Sequence, residues 1–198
     1  VSILKLNITS NVSPFPAIIV PTKKPLGYLL FVAAAKKVWA EATVDYHTCL
    51  EVLKTSPEKI VEIVKQKSQL GSIVAGSLGF NAHFANVIAA LFLSTGQDAA
   101  HVSESSMGIT EAEVESDGNL YFSVYLPSLI VGTVGGGTTL PTQTEALDLL
   151  DLGKRPYDVL KFSEIIAAAV LTGELSLTAA LASGDLVSAH QKLGKGKK

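Results

Sequence analysis

The chain has 198 residues, of which 47% are apolar and 17% charged, with a formal net charge of −2. That length supports one sizeable core, and the high apolar share points to a large core or an extensive subunit interface. A near-neutral balance excludes broad nucleic-acid binding, which needs many phosphates neutralised, and the longest unbroken apolar run (26–35) falls short of the roughly 18–20 residues of a spanning helix.

In chain order, residues 1–20 alternate weakly, with Leu4, Leu6 and Ile8 against Lys5, Asn7 and Thr9, as a strand does. The Pro-rich stretch "SPFPAIIVPTKKP" reads as a loop or sheet edge, since proline cannot donate to a ladder. "KVWAEATV" (37–44) places Val38, Ala40, Ala42 and Val44 on one face of a second strand. "SPEKIVEIVKQK" opens a helix with Ser56 as N-cap, Pro57 at the first position and Glu58 in the first turn. The small-residue run "GSIVAGSLG" (71–79) leads into an apolar helix over 81–101. A hairpin follows, with Ser116-Asp117-Gly118 between "ITEAEVE" and "NLYFSVYL", and Leu120, Phe122, Val124 and Leu126 on its inner face. Past the loop "GTVGGGT" (132–138), Thr142 and Glu145 form a capping box, and a long apolar helix over 161–184 ends near Gly184. "DLVSAHQKL" reads as a short last helix. The terminal "KLGKGKK" reads as a solvated basic tail. Helices with a few antiparallel strands and no regular β-α-β alternation predict an α+β fold: long apolar helices packed with a small, mostly antiparallel sheet.

No basic region followed by an apolar stretch opens the chain, so no signal peptide is expected, and the two Asn-X-Ser/Thr sequons at Asn7 and Asn11 count as chance. Cys49 is alone, which excludes an intrachain disulfide and a cysteine zinc site and suits a reducing compartment. The start at Val1 rather than Met points to a piece of something longer.

On the helix over 81–101, His83, Asn86, Ala90, Ser94, Gln97 and His101 recur at i+3 and i+4 as one small-and-polar stripe. Two readings stay open for it: caps that satisfy local backbone, or the wall of an active site. Asp98 sits where a carboxylate meets the negative end of the helix dipole, so a nearby cation is expected. "GTVGGGT" can cradle phosphate on its backbone N–H groups, although a tight structural turn explains it equally well. Glu174 is a charge inside an apolar helix, expected to pair or to face solvent at a break near Gly173, with a site role as the alternative. His190 alone reads as a surface histidine and Lys23-Lys24-Pro25 as a basic turn.

Taken together, "GSLGFNAHFANVIAALFLSTGQDAAH", "LYFSVYLPSLIVGTVGGGTTLPTQTEAL" and "FSEIIAAAVLTGELSLTAALASGDLVSAH" closely resemble the catalytic region of 3-hydroxy-3-methylglutaryl-coenzyme A (HMG-CoA) reductases of the archaeal and eukaryotic class. The likeness runs strongly from Val38 to Leu193 and more loosely back to Lys23. It implies NADPH-dependent, two-step reduction of HMG-CoA to mevalonate and CoA. By motif, "TKKP" places the family's catalytic lysine at Lys23 and a substrate-binding lysine at Lys24. "GQDAA" places the aspartate at Asp98, and "LVSAH" the histidine at His190. Lys67, His83 and Asn86 match substrate-pocket positions, while Thr133, Val134, Gly135, Gly136 and Gly137 match a cofactor-contacting loop. The resemblance further implies a homodimer with the active site at the subunit interface, and a cytoplasmic location or the cytosolic face of a membrane for a longer, anchored chain.

Residues 1–36 then form a divergent N-terminal segment carrying the KKP turn, 37–193 the large-domain core, and 194–198 a flexible basic tail. Several family features differ in this chain. Thr22 replaces the aspartate before the lysines, Pro16 stands at a substrate-contacting serine position, "VAAA" (32–35) replaces E-G-R-G, and Ala189 replaces the serine before the final histidine. The family's catalytic glutamate and its small cofactor-binding domain precede the residues in this sequence. The alternative reading is therefore an inactive relic or fragment that keeps the fold and the dimer surface and serves as a binding module.

Overall fold

A computed structural model of the chain describes residues 4–11, 35–153, 155 and 157–184. Its sheet has four strands, β1 (Leu4–Asn11), β2 (Lys36–Val44), β3 (Ile109–Val114) and β4 (Leu120–Leu129), in the order β1-β2-β4-β3. Every pairing is antiparallel, with Leu4 opposite Val44, Val38 opposite Leu126, and Val114 opposite Leu120. The period-two pattern decides which face is inward: Val38, Ala40, Ala42 and Val44 of β2 and Leu120, Phe122, Val124 and Leu126 of β4 are all buried.

Helices α1 (Tyr46–Glu51), α2 (Pro57–Ile63), α3 (Phe84–Thr95), α4 (Val102–Ser105), α5 (Pro141–Leu149) and α6 (Asp158–Ser183) complete the layer. Helix α2 continues through π-helical turns over Val64–Gly71 and a last α-turn at Ser72–Val74. The 26-residue α6 packs on β2 and β4 and also meets α2 and α3. Ala40 and Ala42 keep the sheet surface low, so Phe162, Ile166 and Val170 of α6 can press against it and are themselves buried. By length and composition α6 is long and apolar enough to cross a membrane, which a count of unbroken apolar runs overlooks; here it is the core helix of the fold.

The α+β expectation holds, as do both inner-face patterns and the hairpin turn, where Gly118 has φ +85° and its N–H donates to the Glu115 carbonyl at 2.9 Å. Two local readings change, and the Ser56 cap, borne out in position, gains a detail. Helix α5 starts at Pro141 with Leu140 as its cap residue, so Thr142 lies inside it and donates to Gln143 Oε1 at 2.6 Å; no capping box forms. Proline, with φ preset and no N–H to satisfy, begins the helix before Thr142 can. Ser56 holds the cap position without a side-chain cap bond. Its hydroxyl goes instead to Glu58, and that hydrogen bond lowers the pKa of the Glu58 carboxyl. Finally, α6 runs without a break through Gly173.

Candidate active site

The helix expected over 81–101 is shorter, and its ends explain its polar residues. Gly96 adopts the left-handed conformation (φ +71°) and stops α3 at Thr95. Gln97, Asp98 and His101 therefore leave the stripe. Asp98 begins a separate 3-10 turn (Ala99–His101), where its carboxylate accepts from the Ala100 N–H at 2.9 Å. This is the N-terminal end of the next helical segment, a favourable place for negative charge. The expected conflict with the α3 dipole disappears. The Asp98 side chain is 67% exposed, with His101 Nε2 at 3.8 Å from its Oδ2.

At the other end of α3, Asn81 is the side chain that caps: its Oδ1 accepts from the Phe84 N–H at 3.1 Å. Its amide donates to the Ser106 and Gly108 carbonyls at 2.9 and 3.1 Å, tying the helix start to the approach to β3. His83 occupies the cap position itself, and its Nε2 lies 2.8 Å from the Gly173 carbonyl. A carbonyl only accepts, so Nε2 carries the proton. Asn86, one turn on, is exposed, and Lys67 is exposed on the π-helical turns. The 12-residue α3, about 18 Å long at roughly 1.5 Å per residue, lies between His83 at its start and Asp98 beyond its end, and Asn86 sits in its first turn.

The loop of Thr133, Val134, Gly135, Gly136 and Gly137 lies at the Asp98 end. Gln97 holds it like a strand partner: Oε1 accepts from the Gly132 N–H and Nε2 donates to the Gly132 carbonyl, both at 2.9 Å. A second tie is steric, since a Cβ on Gly96 would collide with the Gly137 carbonyl. Between these ties the loop is open. Gly135 (φ +83°) and Gly136 (φ +58°) have nothing within 4 Å of where a Cβ would be, and Val134 is 84% exposed. Such a turn, open at Gly135 and Gly136 and followed by a helical turn, can receive an anionic group. Thr138 closes it, with its hydroxyl donating to the Gly135 carbonyl at 2.7 Å.

Lys23, Lys24 and His190 lie outside the described residues. Two residues gain partners that pattern alone could not supply. Gln97 belongs to the polar stripe by spacing, with no role that spacing could assign. Glu174, a charge within an apolar helix, is fully buried and takes hydrogen bonds from the Ala82 N–H, from the His83 N–H at 3.1 Å and from the Thr110 hydroxyl at 2.8 Å. Of its two expected fates, pairing and solvent exposure, it pairs.

Comparison with known proteins gives the family. The family model described as hydroxymethylglutaryl-coenzyme A reductase matches residues 19–195, a span that takes in Lys23, Lys24 and His190. The 3-hydroxy-3-methylglutaryl-coenzyme A reductase of Aeropyrum pernix is 53% identical over 178 residues, 88% of this chain and 42% of the relative. The enzyme of the same name from Methanocaldococcus jannaschii is 51% identical over 173 residues, 87% of this chain and 42% of the relative. A fungal relative, the 3-hydroxy-3-methylglutaryl coenzyme A reductase of Monascus pilosus, is 48% identical over 163 residues, covering 79% of this chain and 15% of its own length. This chain thus spans about 42% of the length of the two archaeal proteins. With the match running through Asp98, the glycine loop and α6, the chain belongs to the hydroxymethylglutaryl-coenzyme A reductase family.

Proposed function

We propose that the chain supplies part of an active site that reduces HMG-CoA to mevalonate and free CoA at the expense of NADPH. The observation that carries this reading is the double tie of the glycine loop to the Asp98 end of α3, through Gln97 to Gly132 and Gly96 to Gly137. It supports the reading by joining the candidate cofactor loop to Gly96 and Gln97, the two residues that precede Asp98. The open backbone at Gly135 and Gly136 fits a nicotinamide dinucleotide, with Thr133–Gly137 as the residues that would hold it. When bound, NADPH supplies the hydride.

The remaining chemistry belongs to the chain. Lys23 stabilises the oxyanion that develops on the thioester carbonyl, the kind of electrostatic help that favours the transition state over the ground state. Asp98 keeps that lysine charged and oriented. His190 delivers a proton to the departing CoA thiolate, a step suited to a group titrating near neutrality. Lys24, Lys67, His83 and Asn86 hold the acyl portion of the substrate.

The roughly 18 Å between the two ends of α3 supports a site completed by a second copy, since one acyl group does not reach from His83 to Asp98. So does the exposed apolar segment just beyond Lys67, with Leu70, Ile73, Val74 and Leu78 between 53% and 88% exposed. A cytosolic location accompanies this reading, since both substrates are soluble metabolites.

The test follows nicotinamide absorbance after HMG-CoA is added to the chain with NADPH. In parallel, residues 37–193 replace the matching segment of the Methanocaldococcus jannaschii relative. Oxidation that depends on HMG-CoA is expected from the graft, falling by roughly 10²-fold or more in D98N. A folded graft without such oxidation, or one indifferent to D98N, overturns the proposal in favour of a binding module.

A further inference from the structure

Glu174 is costly where it stands. A carboxylate removed from water loses several kcal/mol of hydration, and an apolar residue of similar volume would pack in the middle of α6 without that loss. Three donors converge on it. Oε1 receives the Ala82 N–H and the Thr110 hydroxyl, and Oε2 receives the His83 N–H. Asn81 already caps α3 through the Phe84 N–H, so helix capping does not by itself require a charge on the neighbouring helix.

The fourth group near the carboxylate is the His83 imidazole, whose Nε2 lies 4.0 Å from Oε2. The ring is held by the residue beside Glu174, because Nε2 donates to the Gly173 carbonyl. Gly173 is also what lets the ring come so close. A Cβ there would sit 3.0 Å from Val87 Cγ2 and 3.5 Å from His83 Cε1. Consecutive residues of α6 thus fix His83 at two points, Glu174 at its backbone and Gly173 at its ring. With Nε2 donating to Gly173, Nδ1 is the ring atom left for a ligand, and in the Nε2–H tautomer it is an acceptor. It therefore selects a ligand group that donates, such as a hydroxyl.

We propose that Glu174 is a positioning residue: by pinning the backbone at Ala82 and His83, it holds the His83 imidazole against Gly173 as the Nε2–H tautomer, presenting Nδ1 to a hydroxyl of the acyl substrate. The assignment of that substrate rests on the function proposed above; the tautomer and its cause do not.

The test uses the full 198-residue chain, labelled with 15N at histidine, with the His83 ring signals identified by their loss in H83Q. In the unsubstituted chain the two ring nitrogens should be widely separated, with Nδ1 downfield as befits an acceptor, and the Ala82 and His83 amides should exchange as slowly as the amides of β4. E174Q turns one acceptor into a donor facing the His83 or Ala82 N–H. There the two ring signals should move toward an average and both amides should lose protection. E174D, which keeps the charge but withdraws it by one methylene, should fall between and serves as the comparison if E174Q does not fold. T110V removes a donor that does not touch His83 and should leave the ring signals where they are.

A proton on Nδ1 in the unsubstituted chain overturns the proposal, as does a folded E174Q or E174D with unchanged ring signals. These readouts need no turnover, so an inactive chain with an Nε2–H ring sinks only the enzymatic reading. An active one with an Nδ1–H ring sinks only the positioning role of Glu174.

Discussion

Gln97 shows how a single side chain can do the work of a strand. Its amide repeats the donor-acceptor pair of a peptide group, and Gly132 answers with both halves of its own. Gln97→Ala removes two hydrogen bonds, each worth about 0.5–1.5 kcal/mol net, from the anchoring of the glycine loop. Hydrogen exchange over residues 133–138 should speed up while the core is unaffected, and NADPH should bind more weakly. Gln97→Glu should do at least as much, because it sets a carboxylate oxygen against the Gly132 carbonyl. Unchanged exchange in both variants would show that the Gly96–Gly137 contact alone secures the loop. Cys49 is governed by burial instead. Loss of hydration, reinforced by the charges of Asp45 and Glu58, pushes its thiol up to about 11 from 9.0. The folded chain therefore keeps its proton where the unfolded chain has lost it, so this contribution to stability is present below pH 9 and fades as the pH rises toward 11. Urea midpoints measured across that range should fall less in C49A than in the unsubstituted chain. At about pH 8 the native thiol should resist iodoacetamide until the chain unfolds.

Among the elements, the contact between the end of α3 and the glycine loop is the one least tolerant of change. Gly96→Ala must drive a Cβ into the Gly137 carbonyl and hold an L side chain at φ +71°. At least about 1–3 kcal/mol should be lost, read as a drop in thermal midpoint. Gly118→Ala, with a similar φ and open space around it, should lose about 1 kcal/mol, near the strain alone. Comparison of the two separates crowding from conformation. Periodicity carried the strands because each buries a single face, as Val38 to Val44 and Leu120 to Leu126 do. Helix α3 was harder to delimit. Polar spacing carried the stripe past Thr95, although Gly96 is itself a local stop, a glycine in the left-handed conformation; what the sequence could not show is that Gly96 also meets a loop some forty positions away. For the same reason Glu174 was visible as an oddity but its partners at Ala82, His83 and Thr110 were not. Asp98, His83 and the glycine loop are candidates through the family likeness, and only tertiary contact shows Gln97 bonded to Gly132 and Glu174 bonded to the Ala82 and His83 backbone.

At the scale of the molecule, the pairing with a second copy proposed above rests on the apolar segment from Leu70 to Leu78 and on the separation of His83 from Asp98. V74E combined with L78E should shift the chain from dimer to monomer in sedimentation while its circular dichroism is preserved, and should abolish any reductase activity of the graft. A monomeric unsubstituted chain would contradict that expectation. The order β1-β2-β4-β3 carries a consequence for synthesis. Strand β2 lies between β1 and β4, yet it ends at Val44 and its β4 partner begins only at Leu120. At ribosomal rates of about 5–20 residues per second, β2 spends on the order of 4–15 s outside the tunnel with that edge unpaired. It carries Val38, Trp39 and Val44, apolar and strand-forming, which makes it the segment most in need of a chaperone while α6 is still being made. Nascent chains stalled before residue 120 should therefore be held by such factors, and release should come once β4 and then α6 have emerged to cover both its edge and its face.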